Sequence, residues 1–419
     1  MHLCDALLIL FLFPLYNGLN PTCPRKCNCD STRAVECYRI IEIPRELPST
    51  IRRIYISHSK IKQLQISDFS RMSGLEELIL ACSGTESVEI NTFKSLDKLK
   101  TLELWKNKIK HIPTSLPPSL EVLKLGDNSL SILLDSDFDG LKNLRVLDVQ
   151  NNMILALSFS ILYSLCNLQS LTLDGNNMES VSGSLKLFKL KYMSMENNKL
   201  HSFSANLFAP LQNLQLLNLN GNFLTKVPLD LPKSLLSLKL ERNQLKMIRF
   251  QDLLLWFYNE TCAQLVLFLL RLPDTLTRLD LKGNNIQEVG EQELKNLKQL
   301  QVLNLRNNNI SALNCSVLEF LPRLRYLYLD GNPWNCTCDL LGTRRVLMAK
   351  GTEVKGGLCS VPAESQGESW MSSKKFLQLC EDHLQSAEKG KEIGKKMNTD
   401  DFSSLRANVD DYYYDYEID

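Results

Sequence analysis

Eight of the thirteen cysteines fall into two groups, one near each end of the chain. The first, "CPRKCNCDSTRAVEC", sets Cys23, Cys27, Cys29 and Cys37 in the spacing C-x3-C-x-C-x7-C. The second opens in "NPWNCTCD" with Cys336 and Cys338 and continues to Cys359 and Cys380. Four thiolates can hold zinc, but neither group has the matched C-x2-C pairs of a structural zinc site. Cross-linking in an oxidising compartment is the better reading, because small end pieces that cannot build a core of their own are where disulfides concentrate. Spacing leaves the connectivity open: Cys336 and Cys338 each have a candidate partner at Cys359 or Cys380. Cys82, Cys166, Cys262 and Cys315 are scattered between the groups and carry no expected pairing.

A second chemistry sits in "DDYYYDYEID", Asp410 to Asp419, four tyrosines among five acids with no base. It follows a polar stretch with no pattern able to bury a face, so residues 381–419 read as a disordered acidic tail. Tyr412, Tyr413, Tyr414 and Tyr416 each lie beside or within two residues of Asp or Glu, the setting in which Golgi sulfotransfer to tyrosine is expected. The plainer alternative is an unmodified solubilising tail. Asn-x-Ser/Thr occurs at Asn259, Asn309, Asn314 and Asn335, the last crowded by Cys336. These modifications need a secretory route, and "ALLILFLFPLY" supplies its signal: an apolar run too short to span a bilayer, giving a signal peptide over residues 1–18. No apolar run follows Cys380, so no transmembrane anchor is expected. Catalytic chemistry finds no foothold. Five histidines occur without H-E-x-x-H spacing, and neither a G-x-S-x-G elbow nor a phosphate loop is present, so no enzyme activity, catalytic residue, cofactor or metal is expected. A formal net charge of +1 argues against a nucleic-acid partner.

The elements that must position these groups are announced by repetition. "LKTLELWKNKI" at Leu99, "LEVLKLGDNSL" at Leu120, "LRVLDVQNNMI" at Leu144 and "LRYLYLDGNPW" at Leu324 are four of ten close copies of L-x-x-L-x-L-x-x-N-x-L, with looser copies from Ile51 and Leu75. Spacings of mostly 21 to 24 residues exclude a simple leucine-rich helix. In L-x-L the leucines turn inward from a short strand and the residue between them faces out. The expected fold is an α/β repeat, a curved solenoid with a parallel β-sheet on its concave face, over residues 51–332. Its open ends require caps, at 19–50 and 333–380. The recurring Asn, from Asn107 to Asn332, is a structural residue that satisfies the turn after each strand. After the copy at Leu235 the next begins only at Leu276. Between them stands "LLLWFYNETCAQLVLFLLRLP", read as a degenerate segment of about 246–275 or a fault in the gene model. A membrane span is disfavoured by Asn259, Glu260 and Thr261, and would place the two cysteine groups on opposite sides.

Ligand binding on such a scaffold belongs to the hollow. Alternation aims Tyr55, Glu103, Lys124, Asp148, Lys239 and Tyr328 into it, a row of mixed charge that suits a protein partner better than a polyanion. Arg325, Tyr326 and Tyr328 form its densest cluster of residue types that anchor interfaces.

Caps and array together, over about Cys23 to Cys380, resemble the small leucine-rich proteoglycan family. Shorter repeats marked by "IPRELPSTI", "IPTSLPPSL", "VPLDLPKSL" and "LLRLPDTL" alternate with longer ones as in that family, and four cysteines in the C-terminal cap resemble its chondroadherin-like branch. The resemblance implies pairing of Cys23 with Cys29, Cys27 with Cys37, Cys336 with Cys359 and Cys338 with Cys380. It implies a secreted extracellular-matrix protein that binds collagen or modulates growth factors of the transforming growth factor-β family, and members carry sulfated tyrosine clusters. The alternatives are a structural collagen spacer and a soluble protein like a recognition-receptor ectodomain.

Overall fold

Among the described residues each coil contributes one short strand to the main sheet, and the leucine pattern explains why. At Thr101–Glu103, Leu102 is fully buried while its two neighbours are half exposed, and the same buried centre recurs at Leu123, Leu147, Leu171 and Leu217. A strand that buries one side chain in two can be only a few residues long before the chain must turn back to cover the core. The computed structural model describes residues 23–30, 33–246, 272–378 and 380. The expected signal peptide, Asn259, most of the segment 246–275 and the tail with Tyr412, Tyr413, Tyr414 and Tyr416 lie outside the described residues.

The sheet has fifteen strands in chain order. They are β1 (Cys27–Cys29), β2 (Ala34–Tyr38), β3 (Arg53–Ser57), β4 (Glu77–Ala81) and β5 (Thr101–Glu103). Next come β6 (Val122–Lys124), β7 (Val146–Asp148), β8 (Ser170–Thr172), β9 (Tyr192–Ser194) and β10 (Leu216–Asn218). The series ends with β11 (Ser237–Lys239), β12 (Arg278–Asp280), β13 (Val302–Asn304), β14 (Tyr326–Tyr328) and β15 (Glu353–Lys355). From β2 to β15 each strand pairs in parallel with the next, and only β1 runs antiparallel to its neighbour. Registers match repeat to repeat, as in Leu102↔Leu123 and Leu123↔Leu147, so equivalent leucines stack into a continuous apolar column. A second column of larger side chains, among them Phe69, Phe93, Phe138, Phe159 and Phe208, closes the core beneath the return segments.

The asparagines hold the turns together. Asn152 Nδ2 donates to the carbonyls of Leu125 and Val149, each at 3.0 Å, and its Oδ1 accepts the Leu130 N–H at 2.9 Å. The same set recurs one coil on at Asn176, with Nδ2 to Val149 O at 3.1 Å and Ile154 N to Oδ1 at 3.1 Å. Each amide thus ties its own turn to the preceding coil, satisfying backbone groups that no strand reaches. In the first two repeats a serine stands at this position. Ser59 Oγ accepts the Ile40 N–H at 3.2 Å and Ser83 Oγ donates to Ala81 O at 3.0 Å, so the amide's several contacts shrink to one or two.

Both ends are stapled. Cys23 bridges Cys29 and Cys27 bridges Cys37, the latter joining residues directly opposite each other in the β1–β2 pair. Cys336 bridges Cys359 and Cys338 bridges Cys380 around helix α1 (Leu340–Ala349), which lies across the end of the core. Trp334 and Trp370, both fully buried, meet edge to face with ring centroids 5.8 Å apart. Arg344, also buried, donates from Nη1 to Trp370 O and Ser373 O at 3.1 and 3.0 Å, and desolvation lowers its pKa. Gly356 has φ +93°, and a Cβ there would sit 2.5 Å from the Asp330 backbone nitrogen, so this tight approach of the cap to β14 needs a glycine. Cys82, Cys166 and Cys315 are free thiols.

Strands β11 and β12 are direct neighbours, Lys239 opposite Asp280, although the copies they belong to start at Leu235 and Leu276. Asn284 reaches back to Leu240 O at 2.9 Å and accepts the Leu245 N–H at 3.1 Å, the same bonds as at Asn152 and Asn176. Among the described residues, β11 is therefore followed in the sheet directly by β12.

Candidate ligand-binding face

The exposed face of the sheet is built from three residues per coil: the one between the inward leucines and the ones two positions before and after it, as Tyr326 precedes Tyr328 and Arg278 precedes Asp280. Sequence alternation located the first set, and Tyr55, Glu103, Lys124, Asp148, Lys239 and Tyr328 all lie on this face, none of them buried. The second set, including Trp105, Asp174, Glu196, Lys282 and Arg306, follows from the same period of two and was not singled out. Two residues of the first set behave differently. Ser194 and Asn218 are buried, because Glu196 and Tyr192 fold over them: Asn218 Nδ2 donates to Glu196 Oε2 at 2.7 Å, and Ser194 lies beside the Asp174 carboxylate and the Tyr192 phenol.

The charges, mixed when read along the sequence, separate on the sheet. Towards the N-terminal end a cavity of about 340 Å³ is lined by Glu103, Trp105, Lys124, Asp127, Asp148 and Gln150. Lys124 Nζ stands 2.7 Å from Glu103 Oε1, and Lys106 Nζ lies 5.3 Å over the Trp105 ring. Beside it Asp148, Asp174 and Glu196 form an acidic centre in which, among the described residues, no carboxylate has an ion-pair partner. Burial pushes the carboxyls of Asp148 and Asp174 above the ordinary range. Backbone N–H groups of Gln150 and Glu196, donating at 3.0 and 2.7 Å, pull the other way. The Tyr192 phenol is likewise pushed up by burial.

At the C-terminal end the sign reverses. A cavity of about 330 Å³ spans β12 to β14 and is lined by Arg278, Asp280, Asn304, Arg306, Tyr326 and Tyr328 with two strand neighbours. The Arg306 guanidinium lies 4.4 Å from the centroid of the Tyr328 ring while its Nε donates to Asp330 at 2.6 Å, so the stacked cation is held in place from one edge. Lys355 Nζ approaches the same ring at 5.9 Å. Tyr326 is 40% exposed. Arg325 is exposed but lies outside the cavity lining, and Arg306, from the neighbouring coil, takes the place beside the tyrosines that adjacency in sequence had suggested for it.

Asn309, Asn314 and Asn335 are exposed. Asn314 caps the short helix Cys315–Glu319 by accepting the Ser316 N–H on Oδ1 at 3.1 Å, which engages the oxygen and not Nδ2. Among the described residues there is no group of three or more His, Cys, Asp or Glu able to hold a metal ion, and no helix long and apolar enough to cross a membrane.

The geometry can be set beside known proteins. A leucine rich repeat family model matches residues 274–333. Mouse nephrocan is 50% identical over 473 aligned positions, covering 90% of this chain and 92% of nephrocan. Mouse lumican is 30% identical over 76% of this chain and 85% of its own length. Among solved structures, a leucine-rich-repeat protein of Leptospira interrogans superposes with a TM-score of 0.56 at 23% identity, over 75% of this chain and 81% of that one, a likeness of fold alone. Shared residues along nearly the whole length, on a disulfide-capped solenoid of the same repeat, place this chain as a relative of nephrocan in the small leucine-rich proteoglycan family.

Proposed function

We propose that the protein is secreted to the extracellular matrix and binds a protein ligand on the exposed face of its sheet, modulating a growth factor of the transforming growth factor-β family or binding collagen. The observation that carries this reading is the open cavity at β12–β14, where Tyr326, Tyr328 and the stacked Arg306 stand together. Large aromatic and arginine side chains held rigid at the centre of a face are the residues that supply most of an interface's binding energy. The acidic centre and basic end of the same face would orient a partner of opposite polarity, raising its association rate and fixing its register.

The test measures binding of a purified growth factor of that family, and of fibrillar collagen, to the secreted chain and to the double variant Tyr326→Ala, Tyr328→Ala. A ligand seated on this face loses about 2 kcal/mol or more, some thirtyfold in affinity. Unchanged affinity of the folded double variant would remove the face from the reading for that ligand. Binding of collagen alone would favour the structural spacer.

The same reading includes N-glycans at Asn259, Asn309, Asn314 and Asn335 and sulfate on Tyr412, Tyr413, Tyr414 and Tyr416. Intact-mass measurement of secreted, deglycosylated protein is expected to show sulfate increments that vanish when all four tyrosines become Phe. Material from sulfation-competent cells without such increments would rule the modification out.

A further inference from the structure

The basic end of the face sets five cations, Lys239, Arg278, Lys282, Arg306 and Lys355, against four acids, Glu241, Asp280, Asp330 and Glu353, and Asp280 Oδ1 is engaged by the Lys282 N–H at 3.2 Å. Lys282 pairs with Glu241 at 2.8 Å, Arg306 with Asp330 at 2.6 Å and Lys355 with Glu353 at 3.3 Å. Lys239 and Arg278 stand between these pairs on β11 and β12 and, among the described residues, have no ion pair or side-chain hydrogen bond. Arg278 is exposed and lines the cavity directly. Arg306 commits only Nε to Asp330, which leaves the rest of its planar fork to meet a carboxylate. With two tyrosine rings in its wall and about 330 Å³ of room, the cavity fits an acidic strand that carries aromatic side chains.

The chain itself contains such a strand. Asp410–Asp419 has five acids, four tyrosines and no base. Its route begins at Cys380, tied by disulfide to Cys338 in the cap whose strand β15 is the immediate neighbour of β14. A random coil of thirty residues has a root-mean-square reach of about 30 Å. The three strands of the cavity lie within roughly 15 Å of β15 at the usual spacing between strands. The acidic centre of the face, Asp148, Asp174 and Glu196, repels the same strand and so limits it to the C-terminal end.

We propose that the cavity formed by Arg278, Arg306, Tyr326 and Tyr328 is a docking site for the chain's own acidic tyrosine segment, Asp410–Asp419, which covers the face in cis until a tighter partner displaces it. The site shares residues with the proposed ligand site, but its test involves no outside ligand and so stands or falls separately. Tethering through about thirty residues places a segment at an effective concentration on the order of 1 mM. If the free peptide binds with a Kd of about 100 µM, the tether fills the site about nine-tenths of the time and weakens competition in trans about tenfold.

The experiment titrates a fluorescent peptide of sequence Asp410–Asp419 against two full-length chains, both secreted under chlorate so that their tyrosines carry no sulfate. One chain is unaltered; the other has Asp410→Asn, Asp411→Asn, Asp415→Asn, Glu417→Gln and Asp419→Asn. The amide-tailed chain is expected to bind the peptide about tenfold more tightly than the unaltered chain, and to lose at least tenfold when Arg278→Glu is added. Lys239→Glu, outside the cavity lining, checks that a charge reversal on this surface is compatible with folding and is expected to weaken binding less than Arg278→Glu. Equal affinity for the two chains overturns docking in cis. Indifference to Arg278→Glu, or no binding to the amide-tailed chain, overturns the site.

Discussion

At the scale of single residues, the buried amides and the half-buried carboxylates make opposite contributions. Asn176 satisfies four backbone groups of two coils, three with Nδ2 and one with Oδ1. Asn176→Ala is expected to lower stability by about 1 to 3 kcal/mol for each group left without a partner, read as a fall in the urea midpoint. A midpoint unmoved within error would mean that water replaces the amide at no cost. The Asp174 carboxyl is pushed up by burial, and the same way by the like charges of Glu196 and Asp148, against the Ser194 hydroxyl and the Glu196 N–H. Its folded pKa is raised, so the fold binds the proton more tightly than the unfolded chain does. Stability is therefore lost as pH rises from the ordinary carboxyl value of 3.8 through the raised folded value. Asp174→Asn keeps an oxygen for the Glu196 N–H and is expected to raise Tm at pH 7 but not at pH 3. An equal gain at both pH values would assign the effect to packing and not to ionisation.

At the scale of elements, the caps and the coils are stabilised differently. An inner coil such as that of β7 is covered on both sides by its neighbours, β6 and β8. The ends have one neighbour each and depend on bridges, Cys27 to Cys37 across β1–β2 and Cys336 to Cys359 beside Trp334. Loss of a native disulfide typically costs about 2 to 5 kcal/mol. Hydrogen exchange under mild reductant is expected to show residues 23–37 and 336–380 opening before the strands β5 to β10. If all strands open together, the caps are not separable units and the array unfolds as one. Strand positions and the outward row were legible in the sequence because period-2 alternation is local. The stack of Arg306 on Tyr328 was not, because the two residues belong to different coils and meet only through the β13–β14 register.

At the scale of the whole molecule, β11 and β12 pair directly although the interval between their copies is anomalous. The interval from Leu235 to Leu276 is 41 residues, against 21 from Leu99 to Leu120 and 21 from Leu214 to Leu235. Excising residues 250–269 leaves "LKMIRLRLPDTL" from Leu245, which matches "LTKVPLDLPKSL" from Leu224 at its apolar positions and its second proline. The shortened chain is expected to be secreted and to melt within about 3 °C of the parent, since a loop of that length changes stability by less than about 1 kcal/mol. A shortened chain that fails to fold would show that the segment packs against the array and is more than an insertion.

The sequence by itself determined the repeat, the inward leucines, the asparagine turns and the need for caps, because each of these is set by contacts within one coil or between equivalent positions of adjacent coils. A period of two and a period of about 21 to 24 residues are enough to specify them. Only the tertiary structure decided which coils are neighbours where the period breaks, so that β11 pairs with β12 across an interval of 41 residues. It also decided that a row of alternating charges in sequence becomes an acidic centre and a basic end in space, with Ser194 and Asn218 withdrawn beneath larger side chains. The physical reason is the same in both cases. Parallel stacking brings side chains of similar height together every 4.8 Å or so, whatever their distance along the chain, and the sum of those lateral neighbours sets burial, charge and the shape of the face.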